Sequence, residues 1–342
     1  QAKLLLLPAA LLLGLTFYTY IPARILWLAF PALLGYWLLT NRPCFRQTWS
    51  STLAFLLIAG LVGLPLFLYL NANPTAEIRI QELSSPLTAA RSGDFSLLWQ
   101  NTLCALRLFH LSGDPTWRYN LPQRPFLDPV LGILFYIGLI IALIHTLRWQ
   151  ADPKRAAASF LALIWLLLGM SPIFITGPEL STTQAMGIQP ILYLFPALAL
   201  ATIANPIVNL KSKIANYSWA IPLLLFSILA TQTYRDYFTI WATAPEVRVQ
   251  YETTMITAMR HLNNTDLGAV AISTTQPDQF HTPAVAAMTL QNTAVFPRWF
   301  DGRSSLILPN QPLGTLILPG FTPLHAQQEP IHHPPPRPPP RP

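Results

Sequence analysis

The sequence predicts an α-helical polytopic membrane protein of about seven transmembrane helices, with a small extracytoplasmic α/β domain near its C-terminal end. Three observations carry that prediction. Of 342 residues, 52% are hydrophobic and only 10% charged, with a mean hydropathy of +0.40; an average soluble domain carries about 25% charged residues. Long apolar runs hold no Asp, Glu, Lys or Arg in their interiors. Basic residues gather instead in alternate short loops, the mark of cytoplasmic loops in membrane proteins. Charges this sparse cannot cover the surface of a water-soluble protein of this size. A soluble enzyme is therefore not expected, and disorder is excluded for all but the ends.

A helix crossing a hydrocarbon core of about 30 Å needs about 20 apolar residues. Seven segments meet or approach that length: residues 4–17, 25–39, 53–70, 129–147, 156–177, 188–210 and 214–232. The first two are short and read as one tight hairpin with its turn at the membrane surface. Arg42 and Arg46 separate the second segment from the third. Arg148, Lys154 and Arg155 separate the fourth from the fifth, and Lys211 and Lys213 the sixth from the seventh. These loops are expected in the cytoplasm, with Lys3 on the same side. Loops 18–24, 71–128 and 178–187, and everything after Thr233, then face outward. Cys44 falls inside and Cys104 outside, so they cannot pair, and two cysteines exclude a disulfide scaffold. The net charge of +7 reflects basic helix ends rather than a nucleic-acid partner.

The outward segment 71–128 is too long for a connector. Within it, residues 94–111 read as an amphipathic helix lying in the membrane interface. Phe95, Leu97, Leu98, Leu103, Leu106 and Phe109 form its apolar face, and Gln100, Asn101 and Arg107 its polar one. The stretch 112–129 is rich in turn residues and sets Arg118 and Arg124 among aromatics. It reads equally as a surface loop with belt aromatics and as a loop facing an anionic lipid head group. Residues 1–232 thus form the membrane domain. Beyond it, 246–263 has helical spacing, 269–273, 305–308 and 315–319 read as strands, and 283–290 as a second helix. Together, 233–323 form an outer α/β cap, and 324–342 a disordered proline-rich tail.

No phosphate-binding loop, nucleophile elbow or dinucleotide fingerprint occurs. The histidines lack the spacing of a metal site, so neither metal nor cofactor is expected. The one cation tucked against the outer surface is Arg24, in Tyr18-Thr19-Tyr20-Ile21-Pro22-Ala23-Arg24. It reads as a snorkelling anchor or as a phosphate contact for a lipid-linked substrate, a role that suits the guanidinium fork. Glu179 reads as a helix-end charge in water.

Three stretches together carry a resemblance: Tyr18 to Arg24; Gly113-Asp114-Pro115 with Arg118-Tyr119-Asn120-Leu121-Pro122, Arg124-Pro125 and Leu127-Asp128-Pro129; and Arg298-Trp299-Phe300-Asp301-Gly302. In order and spacing they resemble the C-terminal half of bacterial family 39-like glycosyltransferases. These belong to the GT-C superfamily, with the aminoarabinose and protein O-mannosyl transferases. The resemblance spans roughly residues 1–320. It implies an integral plasma-membrane glycosyltransferase of about a dozen membrane helices. The sugar would come from a polyprenyl-phosphate carrier and pass to a lipid, glycan or protein acceptor on the extracytoplasmic face. The family's catalytic carboxylate lies in its first outer loop, which is expected upstream of Gln1. Tyr18, Tyr20 and Arg24 fall where relatives place groups near the lipid phosphate, and Arg118 and Asn120 over the same cavity. Relatives often carry His and Arg in the loop before the sixth segment, where this chain has Ser181 and Gln184.

Two other classes remain open. A lipid or polysaccharide transporter usually shows charged or broken helices near the midplane, whereas these helix interiors lack charge and the polar mass lies on one face. A non-catalytic membrane scaffold with an outer cap is the third reading. The expected partners are the lipid-linked sugar donor, its acceptor and membrane lipids.

Overall fold

An apolar run surrounded by apolar groups must satisfy its own backbone hydrogen bonds, and a helix does so. The computed structural model is accordingly mostly helical. It describes residues 2–77, 85–177, 181–209, 220–264, 269–273, 281–301, 305–308 and 314–318. The features expected at Glu179, Lys211, Lys213, Gly302 and 324–342, and at the Ser181 side chain, lie outside the described residues. Two compact units emerge, Gln1–Arg235 and Asp236–Pro342.

The first unit opens with α1 (Ala2–Thr16), a 3-10 helix (Ile21–Leu28) that runs into α2 (Ala29–Thr40), and α3 (Arg42–Ala72). A single residue, Asn41, turns α2 into α3, and its side chain accepts the Cys44 N–H at 3.2 Å, a helix cap. Then come α4 (Ser85–Arg91), α5 (Ser96–Arg107), α6 (Pro129–Leu147) and α7 (Pro153–Thr176). Both α6 and α7 start at an Asp-Pro pair. The aspartate accepts two first-turn N–H groups, at 2.9 and 3.2 Å for Asp128 and 3.1 and 3.0 Å for Asp152. The proline takes the position whose N–H would be unused. Three single turns follow, Ser181–Gln184, the 3-10 turn Ala185–Ile188 and Gln189–Leu192, before α8 (Leu194–Asn209) and α9 (Ala220–Tyr234).

Five stretches are long and apolar enough to cross a membrane: Ile21–Thr40, Arg42–Ala72, Pro129–Leu147, Pro153–Thr176 and Thr182–Ile203. α1 and the described part of α9 are apolar but only 15 residues each. In none of the five is more than 33% of the most apolar window buried inside the protein. Leu57, Leu61, Ile133 and Leu147 therefore face outward, an apolar surface that water does not tolerate in such extent.

Three expectations are corrected here. The first two segments do not close on each other as a hairpin. Instead α1 runs along α3, with Phe17 edge-on to Phe67 at 5.7 Å, and α2 packs on α3 and α7. Tyr36 of α2 stacks on Phe160 at 4.4 Å and donates to the Thr146 carbonyl at 2.9 Å. The sixth segment is not one helix but breaks at Tyr193. Pro196 has no N–H, and its ring crowds the carbonyl four residues back, that of Leu192. The helix expected over 94–111 is shorter, and Phe109 leaves its apolar stripe to stack on Phe135 at 4.5 Å in the core. Asn101 is not on a wet face either; it donates to the Phe174 and Ile175 carbonyls of α7 at 3.1 and 3.4 Å. The remaining stripe, Phe95, Leu97, Leu103 and Leu106, is exposed, as is Trp99. Helix α4 was not foreseen.

The core of the unit lies where α6, α7 and α8 meet. Leu131, Phe135 and Ala142 face Ala162, Met170 and Ile173, with Ile188, Phe195 and Ala199 closing the cluster. Helices α6 and α8 approach closely at Gly138, where an added Cβ would lie 1.9 Å from the Phe195 carbonyl oxygen. Small residues let backbones meet in this way where hydrophobic burial gives no preference between helix and lipid.

The second unit begins with a π-helical continuation and holds α10 (Pro245–Gln250), α11 (Thr253–Asn263), β1 (Val270–Ser273), α12 (His281–Thr289), β2 (Pro297–Phe300) and β3 (Thr315–Ile317). All pairs are parallel and the strand order is β2-β1-β3. The helix expected over 246–263 is two, parted at Glu252, which takes a left-handed φ of 51°. The strand expected at 305–308 has no strand partner among the described residues; Ser305 N–H turns back to the Asp301 carbonyl at 2.9 Å. The strand is instead β2, an edge strand whose first residue is Pro297, the place in a sheet that tolerates a missing donor. Met255, Met259 and Leu262 of α11 pack on Val270 and Ile272. Asn263 accepts the Gln291 and Asn292 N–H groups at 2.7 and 3.0 Å and donates to the Thr289 carbonyl at 3.0 Å, which fixes the end of α12.

Candidate functional site

The loop from Leu111 to Asp128 is a built element rather than a tether. Gly113 N–H donates to the Gln123 carbonyl at 3.0 Å, and Gln123 N–H returns to the Asp114 carbonyl at 2.8 Å. Phe126 and Leu127 N–H groups bond the carbonyls of Leu108 and Phe109 at 2.8 and 3.0 Å. Asp114 is 3% exposed. Its Oδ1 accepts the Thr116 N–H at 2.9 Å and the Thr116 hydroxyl at 2.7 Å, while Oδ2 accepts the Thr182 N–H at 3.2 Å. One carboxylate thus shapes its own loop and joins it to the stretch that follows α7.

That stretch is the centre of this end of the unit. Beyond Thr182, Gln184 is buried, and Gly187 lies against Gly169 of α7 with its carbonyl taking the Trp165 indole N–H at 2.8 Å. A Cβ on Gly187 would meet Leu26 of the 3-10 helix at 3.6 Å. The 3-10 helix carries Arg24, whose Nε donates to the Phe17 carbonyl at 2.9 Å. A guanidinium there satisfies a carbonyl left open at the end of α1. Tyr18 donates its hydroxyl to the Val62 carbonyl of α3 at 2.8 Å, and Tyr20 precedes the 3-10 helix, partly exposed. Arg118 is exposed and sits 5.6 Å from the Tyr119 ring centroid, a cation–π distance. Asn120 accepts the Leu121 N–H at 2.9 Å. Residues 182–188 are therefore what the Arg24 element and the Arg118 loop have in common: Thr182 bonds the loop, and Gly187 meets the 3-10 helix.

No family model, curated protein or solved structure matches the chain. The site is characterised by its own chemistry.

Residue-level reading of the sequence assigned no role to Asp114, Thr182 or Asp128. An Asp-Pro-Thr run signals a local side-chain turn, which accounts for the Thr116 bonds. Nothing local signals the third bond, since Thr182 is 68 residues away. Asp128 caps α6 through Oδ1, and its Oδ2 is buried with no hydrogen-bond partner among the described residues. No group of three His, Cys, Asp or Glu among the described residues could hold a metal ion. Arg298, Trp299 and Phe300 form β2, and Asp301 follows at the carboxyl end of the strand.

Asp94 starts α5. Its carboxylate accepts the Ser96 N–H at 2.9 Å, and hydrogen bonding from Ser96, side chain first and backbone second, holds the carboxyl below its ordinary value. A lowered pKa means that the cap is complete above the usual carboxyl range and is lost as pH falls through the lowered value. Amide exchange at Ser96 to Trp99 should accelerate only on that acid limb, once the intrinsic pH dependence of exchange is removed. In Asp94→Ala the amides should exchange fast at all pH, and an unchanged profile would defeat the capping role.

Proposed function

We propose that the chain is the C-terminal portion of an integral-membrane glycosyltransferase of the GT-C type, taking a sugar from a polyprenyl-phosphate donor on the extracytoplasmic face. The observation that carries this reading is the shared contact just described. Two separate cationic segments, bearing Arg24 and Arg118, are both built onto residues 182–188 at the Thr176 end of α7. Transfer breaks the bond between sugar C1 and the phosphate oxygen and forms one from C1 to the acceptor oxygen, whose proton passes to a base. Charge develops on the departing phosphate, and cations or donors aimed at its oxygens lower the barrier. Arg24 and Arg118, with the Tyr20 hydroxyl, supply that half of the reaction, while the Tyr18 hydroxyl is committed to the Val62 carbonyl; the acceptor's base belongs to the first outer loop of the full enzyme.

The topology proposed with it puts the α2–α3 and α6–α7 turns in the cytoplasm and the 111–128 loop and the second unit outside. Support comes from the basic residues near both turns; the turns themselves meet around one cavity, Asn41 and Cys44 against Asp152 and Lys154.

Binding of a polyprenyl phosphate to the nanodisc-embedded protein tests the site. Arg24→Ala and Arg118→Ala should each weaken binding by about 1–3 kcal/mol, the scale of a hydrogen bond to a charged group. Arg24→Lys should recover only part, because an ammonium lacks the fork. Unchanged binding in both alanine variants, with the helical signal intact, would defeat the phosphate role.

The break at Tyr193 favours a second reading, a lipid or polysaccharide transporter, since broken spans line such sites. Scrambling of a labelled polyprenyl phosphate across vesicles, with no effect of Arg24→Ala on its binding, would select it.

A further inference from the structure

The opposite end of α7 carries a cavity of about 500 Å³. Its walls come from the α2–α3 corner (Trp37, Asn41, Cys44) and from the start of α7 (Asp152, Pro153, Lys154). We infer that this cavity holds the phosphate head group of an anionic phospholipid of the basic leaflet; the inference rests on the membrane reading above and is independent of the glycosyltransfer.

Charge points to an anion. The two turns beside the cavity carry Arg42, Arg46, Arg148, Lys154 and Arg155 against one acid, Asp152; of these, Lys154 and Asp152 line the cavity itself. That acid is already committed. Its Oδ1 accepts the Lys154 and Arg155 N–H groups at 3.1 and 3.0 Å, and its Oδ2 pairs with Arg155 Nε at 3.1 Å. Lys154 makes no ion pair among the described residues and remains available.

Position points to a lipid rather than a free ion. Trp37 and Cys44 sit at the ends of two spans long enough to cross a membrane, Ile21–Thr40 and Arg42–Ala72. Tryptophan at such a helix end belongs to the head-group layer, and a basic pocket between helix ends at that depth accepts a phosphorylated head group whose acyl chains continue along the apolar helix faces. A soluble anion would gain nothing from those faces.

Cys44 lines the cavity and Cys104 does not, so the two cysteines report on it without an added probe. The protein is reconstituted in vesicles of zwitterionic phosphatidylcholine, with or without an anionic phospholipid, and reacted with a neutral maleimide. Anionic lipid should slow labelling of Cys44 relative to Cys104, which corrects for the general surface potential. In Lys154→Gln the protection should fall by roughly fivefold, the effect of one basic side chain at a lipid surface. Equal Cys44 rates in both vesicles would overturn the site, as would full protection in Lys154→Gln or equal protection by inorganic phosphate in zwitterionic vesicles. Carbonate-resistant flotation with zwitterionic vesicles checks the membrane reading separately. Loss of flotation would strike that reading, whereas flotation without protection strikes only the cavity.

Discussion

Replacing Asp114 by alanine is expected to destabilise the first unit by about 3–5 kcal/mol, because net hydrogen bonds to a charged acceptor contribute roughly 1.5–3 kcal/mol each and do not add fully. Three donors lose their acceptor together: the Thr116 N–H, the Thr116 hydroxyl and the Thr182 N–H. The site is 3% exposed, so water cannot simply take the carboxylate's place without opening the loop. The graded variants separate the contributions. Thr116→Val removes one hydroxyl bond to the carboxylate and should lose about 1.5–3 kcal/mol. Asp114→Asn keeps one carbonyl oxygen but aims an amide N–H₂ at a donor, so it should fall between. Thermal unfolding of the detergent-solubilised protein gives the order, and amide exchange at Thr182 gives the location. A stability of Asp114→Ala within error of the parent would mean that the loop is held by its backbone bonds alone. Because that loop carries Arg118, Asp114→Ala should also weaken polyprenyl-phosphate binding without touching the ligand.

What the sequence made legible was local. Uncharged runs announce the spans, because hydrophobic length is a property of neighbouring residues. The strands β1 and β3 were legible for the same reason. Residues 305–308, Ser-Leu-Ile-Leu, have strand composition but no strand partner among the described residues, whereas β2 was hidden behind Pro297. β-propensity describes a fit to neighbouring strands, and the neighbour of β2 lies across the α12 crossover. Pro196 stood in plain view inside the sixth segment, and its consequence at Tyr193 follows from proline geometry; an apolar run that continued past it concealed the break.

The candidate site was legible only in its ingredients. Tyr18, Arg24 and Arg118 stood out by type and position. Their placement depends on contacts with no local signature: Leu26 with Gly187, Trp165 with the Gly187 carbonyl, and Asp114 with Thr182. Arg24 shows the anchoring role directly: its Nε donates to the Phe17 carbonyl.

The second large effect is expected at Gly138. An added Cβ would lie 1.9 Å from the Phe195 carbonyl oxygen and 2.5 Å from its carbon, where ordinary contact starts at 3.4 Å. Since 3.4 minus 1.9 is 1.5, α6 and α8 must part by about 1.5 Å at that point. The obstacle is backbone, which cannot change rotamer. Parting the helices disturbs the stacked and edge-on chain of Phe109, Phe135 and Phe195, whose centroids lie 4.5 and 5.3 Å apart. Overpacking of this kind costs about 1–3 kcal/mol for small additions and more for large ones. Gly138→Ala should therefore destabilise by about 2–3 kcal/mol, and Gly138→Leu should lose the α6–α8 contact altogether. Gly60 in α3 supplies the contrast, for nothing lies within 4 Å of a Cβ there. Gly60→Ala should be neutral or slightly stabilising, because only the helix preference of alanine is left to act. Thermal unfolding in detergent compares the two. Equal stabilities of the two alanine variants would show that α6 and α8 slide apart freely, and the close approach at Phe195 would then contribute nothing to holding the core together.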